Sequence, residues 1–114
     1  MRPRRGEIYW TEFDPVVGCE MGKTRPAVVV QNDEGNRNSP TTIVVTVTSR
    51  LLGLRYPFIV EVPEGLLPKP SVVNCAHIRT VDTARVRPGR IATLDEATMD
   101  RVDDALAASL GLGR

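Results

Sequence analysis

Apolar and polar residues alternate with a period of two along most of this chain, and the period becomes helical only near its end. Residues 6–13 put Ile8, Trp10 and Glu12 on one side and Tyr9, Thr11 and Phe13 on the other, which predicts a first strand ended by Asp14-Pro15. Residues 25–31 contain Ala27-Val28-Val29-Val30, a run that reads as a second strand buried on both faces. Pro26 fixes φ and has no N–H, so it suits the first strand position or an edge, and Arg25 falls where loop becomes strand. Residues 41–48 predict a third strand, with Val44, Thr46 and Thr48 facing away from Ile43, Val45 and Val47. Residues 57–62 and 71–80 predict a fourth and a fifth. In the fifth, strict alternation groups Val73, Cys75, His77 and Arg79 against Val72, Asn74, Ala76 and Ile78.

Between these runs lie loops. Residues 16–24 hold Gly18 and Gly22, which permit unusual backbone angles beside Arg25 and suit either a plain hairpin loop or a flap. Residues 32–40 are dense in turn formers. Residues 49–56 carry Arg50, Arg55 and Tyr56, an aromatic beside two cations that can stack on and pair with single-stranded nucleic acid. Residues 85–88 read as an irregular or single-turn segment, and residues 89–92 as a brief added strand. Beyond them, Met99, Val102, Leu106 and Leu110 fall at helical spacing. Thr93 followed by Glu96 fits a capping box, Asp95 lies near the positive helix end, and Gly111 is a natural stop. Five strands with short turns and a final helix predict a mostly β fold: a small antiparallel β-barrel with a C-terminal helix against it. At 114 residues, one domain spanning 1–114 is expected.

Composition narrows the function. Lys plus Arg number 15 against 14 Asp plus Glu, so bulk charge favours no partner. The distribution is uneven, with Arg2, Arg4 and Arg5 at one end, Arg79, Arg85, Arg87 and Arg90 together, and Asp95, Glu96, Asp100, Asp103 and Asp104 on the helix. That permits a basic face as well as an ordinary solvated surface. Cys19, Cys75 and a single histidine make no zinc spacing, and no metal or cofactor is expected. The basic N-terminus is followed by no apolar segment, and no stretch is long and apolar enough to span a bilayer, so a cytoplasmic protein is expected.

Phosphate-binding glycine loops, Gly-x-Ser-x-Gly elbows and His-Glu-x-x-His pairs are missing, and the carboxylates are not clustered as a metal nuclease needs. Any catalysis would fall to arginine, hydroxyl and histidine. RNA supplies its own nucleophile, the 2′-OH. Cleaving it takes a proton acceptor, a proton donor and positive charge on the phosphorane. Arg25 can supply the charge and Thr48 a hydrogen bond. An arginine is a poor base because its pKa is so high. The residues alone leave RNA cleavage one reading among several.

In order and spacing, several short blocks resemble the MazF/PemK-like toxins of bacterial toxin–antitoxin systems. They are Arg5-Gly6-Glu7-Ile8-Tyr9-Trp10, Gly22-Lys23-Thr24-Arg25-Pro26-Ala27, Gln31-Asn32-Asp33 with Gly35-Asn36-Arg37, Thr46-Val47-Thr48-Ser49, Ile78-Arg79-Thr80-Val81-Asp82, and Met99-Asp100-Arg101-Val102. The resemblance implies an SH3-like barrel of the MazF/CcdB kind. It implies a homodimer that cuts single-stranded RNA without a metal, leaving 2′,3′-cyclic phosphate and 5′-OH ends, and that a cognate MazE-like antitoxin inhibits. Arg25 and Thr48 match the family's catalytic pair. Glu20, Lys23, Thr24, Ser49, Arg50, Arg55, Tyr56, His77 and Arg79 match or border its RNA groove. The chain departs from the family where an acidic or polar residue and a glutamine usually precede Ile-Arg-Thr; here they are Ala76-His77. His77 either fills the glutamine's place as a hydrogen-bonding group or faces Arg25 to bind RNA or shuttle a proton. Two other readings remain at this point: a CcdB-like toxin that binds gyrase without catalysis, and an inactive RNA-binding module.

Overall fold

The computed structural model describes residues 2–13 and 23–113. The strands are β1 (Glu7–Phe13), β2 (Lys23–Val29), β3 (Thr41–Thr48), β4 (Ile59–Glu61), β5 (Val72–Asp82) and β6 (Ala92–Thr93), and the helices are α1 (Asp33–Asn38) and α2 (Glu96–Leu110). They form one antiparallel sheet in the order β4-β5-β3-β2-β1-β6, curled into a half-barrel, with α2 against β4 and β5. The expected mostly β barrel with a C-terminal helix is thus present.

The curl gives the sheet two apolar faces. Ile8, Val28, Val45, Val47, Val73 and Cys75 point inward, where Met99, Val102 and Ala105 of α2 close the larger core. Tyr9, Phe13, Ala27, Val29, Val44, Val81 and Val86 form a second cluster. Ala27, Val28 and Val29 are all fully buried, as a two-faced strand requires. β2 begins at Lys23, two residues before the expected start. Lys23 enters the strand with φ of 72°, a left-handed angle uncommon for a side chain of its size. Pro26 is therefore interior to β2. It pairs with Trp10 on one side, and pairing to β3 begins only at Ala27, so its missing N–H costs no ladder bond on the β3 side.

Three elements differ from the sequence reading. Residues 32–40 hold helix α1. Asn32 caps it by accepting the Gly35 N–H at 2.8 Å, and Asp33 and Glu34 occupy its first turn, so residues that favour turns also start a helix. The cap of α2 is Asp95, whose carboxylate accepts the Thr98 N–H, while Thr93 lies in β6. Gly111 does end α2, with φ of 70°. Leu110, expected on the packed face, is 59% exposed, and Ala105 and Ala107 are buried instead.

The strongest departure is in β5. Thr41 to Val45 pair with Asp82 to Ile78, but the next residue, Thr46, pairs with Asn74. Residues 75–77 have no partner on β3. An offset of three reverses the alternation, so Val73, Cys75 and Ile78 pack toward the larger core. The expected grouping of Val73 and Cys75 with His77 and Arg79 is corrected by this bulge, which no period-two pattern contains.

Candidate functional site

Arg25 and Thr48 reach one place through register. β2 and β3 pair as Ala27 with Thr46 and Val29 with Val44, and the same register carried to the strand ends sets Arg25 across from Thr48. Beyond Ala27 the two strands no longer bond, which opens a cleft of about 480 Å³. Arg25, Thr48, Arg50, Asn74, His77 and Arg79 line it. Phe13 forms part of its wall, and the Arg79 guanidinium lies 5.4 Å over its ring.

The cleft is cationic and rich in donors. Arg25, Arg50 and Arg79 line it, and among the described residues no carboxylate does. Burial, and then the charge of Arg50, lower the Arg25 pKa from its ordinary value. An arginine starts so high that it remains a cation near neutrality. Arg25 Nε is buried with no hydrogen-bond partner among the described residues. A buried donor without an acceptor is costly, and a phosphate oxygen is the kind of group that would satisfy it. Thr48 Oγ1 accepts the Arg50 N–H at 3.1 Å, which orients the hydroxyl and leaves its own proton to donate.

A second hollow adjoins the first and shares Arg25, Thr48 and Arg50 with it. Thr24, Ser49, Trp10 and Lys69 also line it. Trp10 is 48% exposed, a large aromatic face open to solvent beside cations. Arg87 donates from Nε to Glu12 at 3.2 Å and from its NH2 group to Thr24 Oγ1 at 3.2 Å, tying β1 to β2 at this rim.

The structure therefore brings together Arg25, Thr48, Arg50, His77 and Arg79, with Thr24 and Ser49 in the adjoining hollow. Tyr56 lies elsewhere: it stacks on Phe58 with centroids 5.2 Å apart and lines a hollow against Arg101 and Ala105 of α2. Lys23 and Arg55 are exposed and line neither hollow of the cleft. Glu20 lies outside the described residues. Sequence reasoning missed Phe13, Asn74, Trp10 and Lys69. Asn74 carried a signal, as an amide inside the apolar run Val72-Val73-Asn74-Cys75.

Three arginines of the basic clusters are drawn into ion pairs. Arg5 bonds Asp103 of α2, Arg87 pairs with Glu12, and Arg90 pairs with Glu7 at 3.3 Å. Glu7 also accepts from the Tyr9 hydroxyl; burial first, and then this bond, push the phenol up to about 12. Of the cluster Arg79, Arg85, Arg87 and Arg90, Arg79 is the one that lines the cleft. No cluster of His, Cys, Asp or Glu among the described residues could hold a metal. Among the described residues no helix is long and apolar enough to cross a membrane.

Known proteins match this arrangement. Residues 4–110 fit the family described as PemK-like, MazF-like toxin of type II toxin–antitoxin system. Endoribonuclease EndoA of Bacillus subtilis (strain 168) is 41% identical over 111 residues, covering 96% of this chain and 95% of its own. The crystal structure of MazF from Deinococcus radiodurans superposes with a TM-score of 0.83 at 30% identity, over 98% of this chain and 99% of that one. A MazE–MazF structure from the same organism matches with a TM-score of 0.79 at 30% identity, over 99% of this chain and all of that one.

Proposed function

This chain belongs to the PemK-like, MazF-like toxins of type II toxin–antitoxin systems, and from that premise we propose that Arg25 and Thr48 carry out its chemistry on RNA. It is an endoribonuclease toxin, its substrate is RNA, and its partner is a MazE-like antitoxin. The 41% identity to an endoribonuclease across nearly the full length displaces the gyrase-binding and inactive-module readings. We read residues 1–114 as a single toxin domain that acts as a homodimer in the cytoplasm, where mRNA is exposed.

The observation that carries the site assignment is Arg25 Nε, buried without a partner among the described residues and opposite a threonine whose hydroxyl is free to donate. A phosphodiester laid in the cleft satisfies both. The 2′-oxygen attacks phosphorus, the P–O5′ bond breaks, and charge builds on the non-bridging oxygens. Arg25 meets that charge with donors already in place, and Thr48 adds a hydrogen bond, so both act most strongly in the transition state. Arg50 and Arg79 hold flanking phosphates by the same charge-assisted contacts. Thr24, Ser49 and Lys23 flank the path of the strand, and Tyr56 and Arg55 meet RNA only where it runs beyond the cleft. A 2′,3′-cyclic phosphate and a 5′-OH are the products, and the step needs no metal.

The test uses a long single-stranded RNA in excess EDTA, with the wild-type chain beside Arg25→Ala and the cut ends mapped. Discrete cuts with cyclic-phosphate ends are expected, reduced about 10²–10³-fold in the variant. Uncut RNA from the folded, antitoxin-free wild type would overturn the reading.

A further inference from the structure

The cleft contains many groups that give protons and few that take them. Among the described residues, its hydrogen-bonding side chains are three guanidiniums, Thr46, Thr48, Asn74 and His77. Asn74 Oδ1 already accepts the Ala76 N–H at 3.1 Å, and Thr48 Oγ1 already accepts from Arg50. Guanidinium cannot accept, and a hydroxyl or an amide cannot keep a proton near neutrality. Among the described residues lining the cleft, His77 is the one side chain that can take a proton from a 2′-OH and hold it.

Its position is built. Residues 75–77 leave the β3 ladder as a bulge, and both ends of that bulge are fixed. At one end Asn74 pairs with Thr46 and Ile59, its side chain closes the turn onto Ala76, and the Cys75 N–H bonds Phe58 O at 2.8 Å. Cys75 is fully buried in the larger core. At the other end Ile78 rejoins β3 opposite Val45 and packs on the same core. Ala76 and His77 are left exposed between these anchors, and of the two it is His77 that brings a titratable side chain to the cleft it lines with Arg25 and Thr48. Bulges beside active sites re-aim a side chain in this way.

We propose that His77 is a catalytic residue, the proton acceptor that activates the 2′-OH of the bound RNA; this rests on the ribonuclease reading above. In the step, the neutral imidazole takes the 2′-OH proton as the 2′-oxygen bonds to phosphorus. The P–O5′ bond breaks, and the departing oxygen takes a proton from solvent in the open cleft. The imidazolium then returns its proton to solvent, so no net proton is consumed. Among the described residues, the charged groups that share the cleft with His77 are Arg25 from β2, Arg50 from the segment after β3, and Arg79 from β5, and β1 contributes Phe13.

The experiment measures cleavage of a single-stranded RNA by wild type, Arg25→Ala, His77→Gln and His77→Ala across pH 5–9, with circular dichroism confirming each fold. Wild-type kcat/KM should rise with unit slope and then level off. His77→Gln keeps a hydrogen-bonding side chain and should lose about 10²-fold in kcat together with the sloping limb. Added imidazole should restore His77→Ala in proportion to its neutral form. A wild-type profile in His77→Gln, or a change confined to KM or to the cut sequence, would overturn the proposal and leave His77 a binding residue. If wild type cuts, Arg25→Ala does not and His77→Gln is unaffected, only this inference fails. If wild type does not cut, the ribonuclease reading fails with it.

Discussion

Asn36 is 1% exposed and uses both ends of its amide. Its oxygen accepts from Gln31 Nε2 at 3.1 Å and Thr42 Oγ1 at 2.7 Å, and its nitrogen donates to Gln31 O and Asp33 Oδ1. Truncating it strands several of these groups in a buried place. Asn36→Ala should therefore cost about 2–3 kcal/mol, read from urea unfolding, although the residue lines no part of the cleft. Asp33 works from the same cluster. The Arg5 backbone N–H, and then the Asn36 amide, hold its carboxyl below the usual Asp range against the opposing effect of burial. A depressed folded-state pKa stabilises fully above the ordinary Asp value and is lost as pH falls through the depressed one. Asp33→Asn should thus lower stability at pH 7 by about 1 kcal/mol and flatten its decline on the acid side, a pair of changes that melting curves from pH 2 to 7 resolve.

Among the elements, β1, β2 and β3 were legible because their residues are chosen by burial. Tyr9, Thr11 and Phe13 alternate with Trp10 and Glu12, and Ala27 to Val29 are apolar throughout, as the two faces demand. Arg25 and Thr48 stood out from the residues as a source of charge and a hydrogen-bond donor, but only the resemblance paired them, since nothing local distinguishes a functional arginine from a solvated one. The β5 bulge was not legible, because the three unpaired residues follow from contacts with β3 and β4 that the chain's own pattern does not contain. Helix α2 lies between these cases. Its period was clear, but the buried places along it went to Ala105 and Ala107 and not to Leu110. Val102→Ala should cost about 2 kcal/mol, and Leu110→Ala, outside the packed face, should stay within about 0.5 kcal/mol. Equal costs in urea titrations would mean that α2 is rotated relative to this structure.

Over the whole molecule the formal net charge is +1, yet the cleft carries three guanidiniums and no carboxylate among its described residues. The remaining basic clusters are drawn down by pairs such as Arg5–Asp103, Arg87–Glu12 and Arg90–Glu7. Positive potential is left at the cleft. If Arg25, Arg50 and Arg79 each take a phosphate, the affinity for single-stranded RNA should fall with log salt at a slope of about −2. Fluorescence titrations of an uncleavable 2′-deoxy strand would show this. A slope near zero would remove the phosphates from recognition, and one beyond about −5 would mean that a much wider basic face takes part.

The detour in β5 also bears on how this toxin can change over generations. Residues 75–77 form no rung with β3, and the ladder closes on either side of them through Asn74 and Ile78. Ala76 and His77 are exposed, so their replacement removes neither a core contact nor a ladder bond to β3. Two positions on the cleft wall are thereby released from the folding constraint that holds their neighbours. A change at either position leaves the scaffold intact, so Ala76 is where sister toxins would be expected to diverge first, while His77 is held by the role proposed for it and not by the fold.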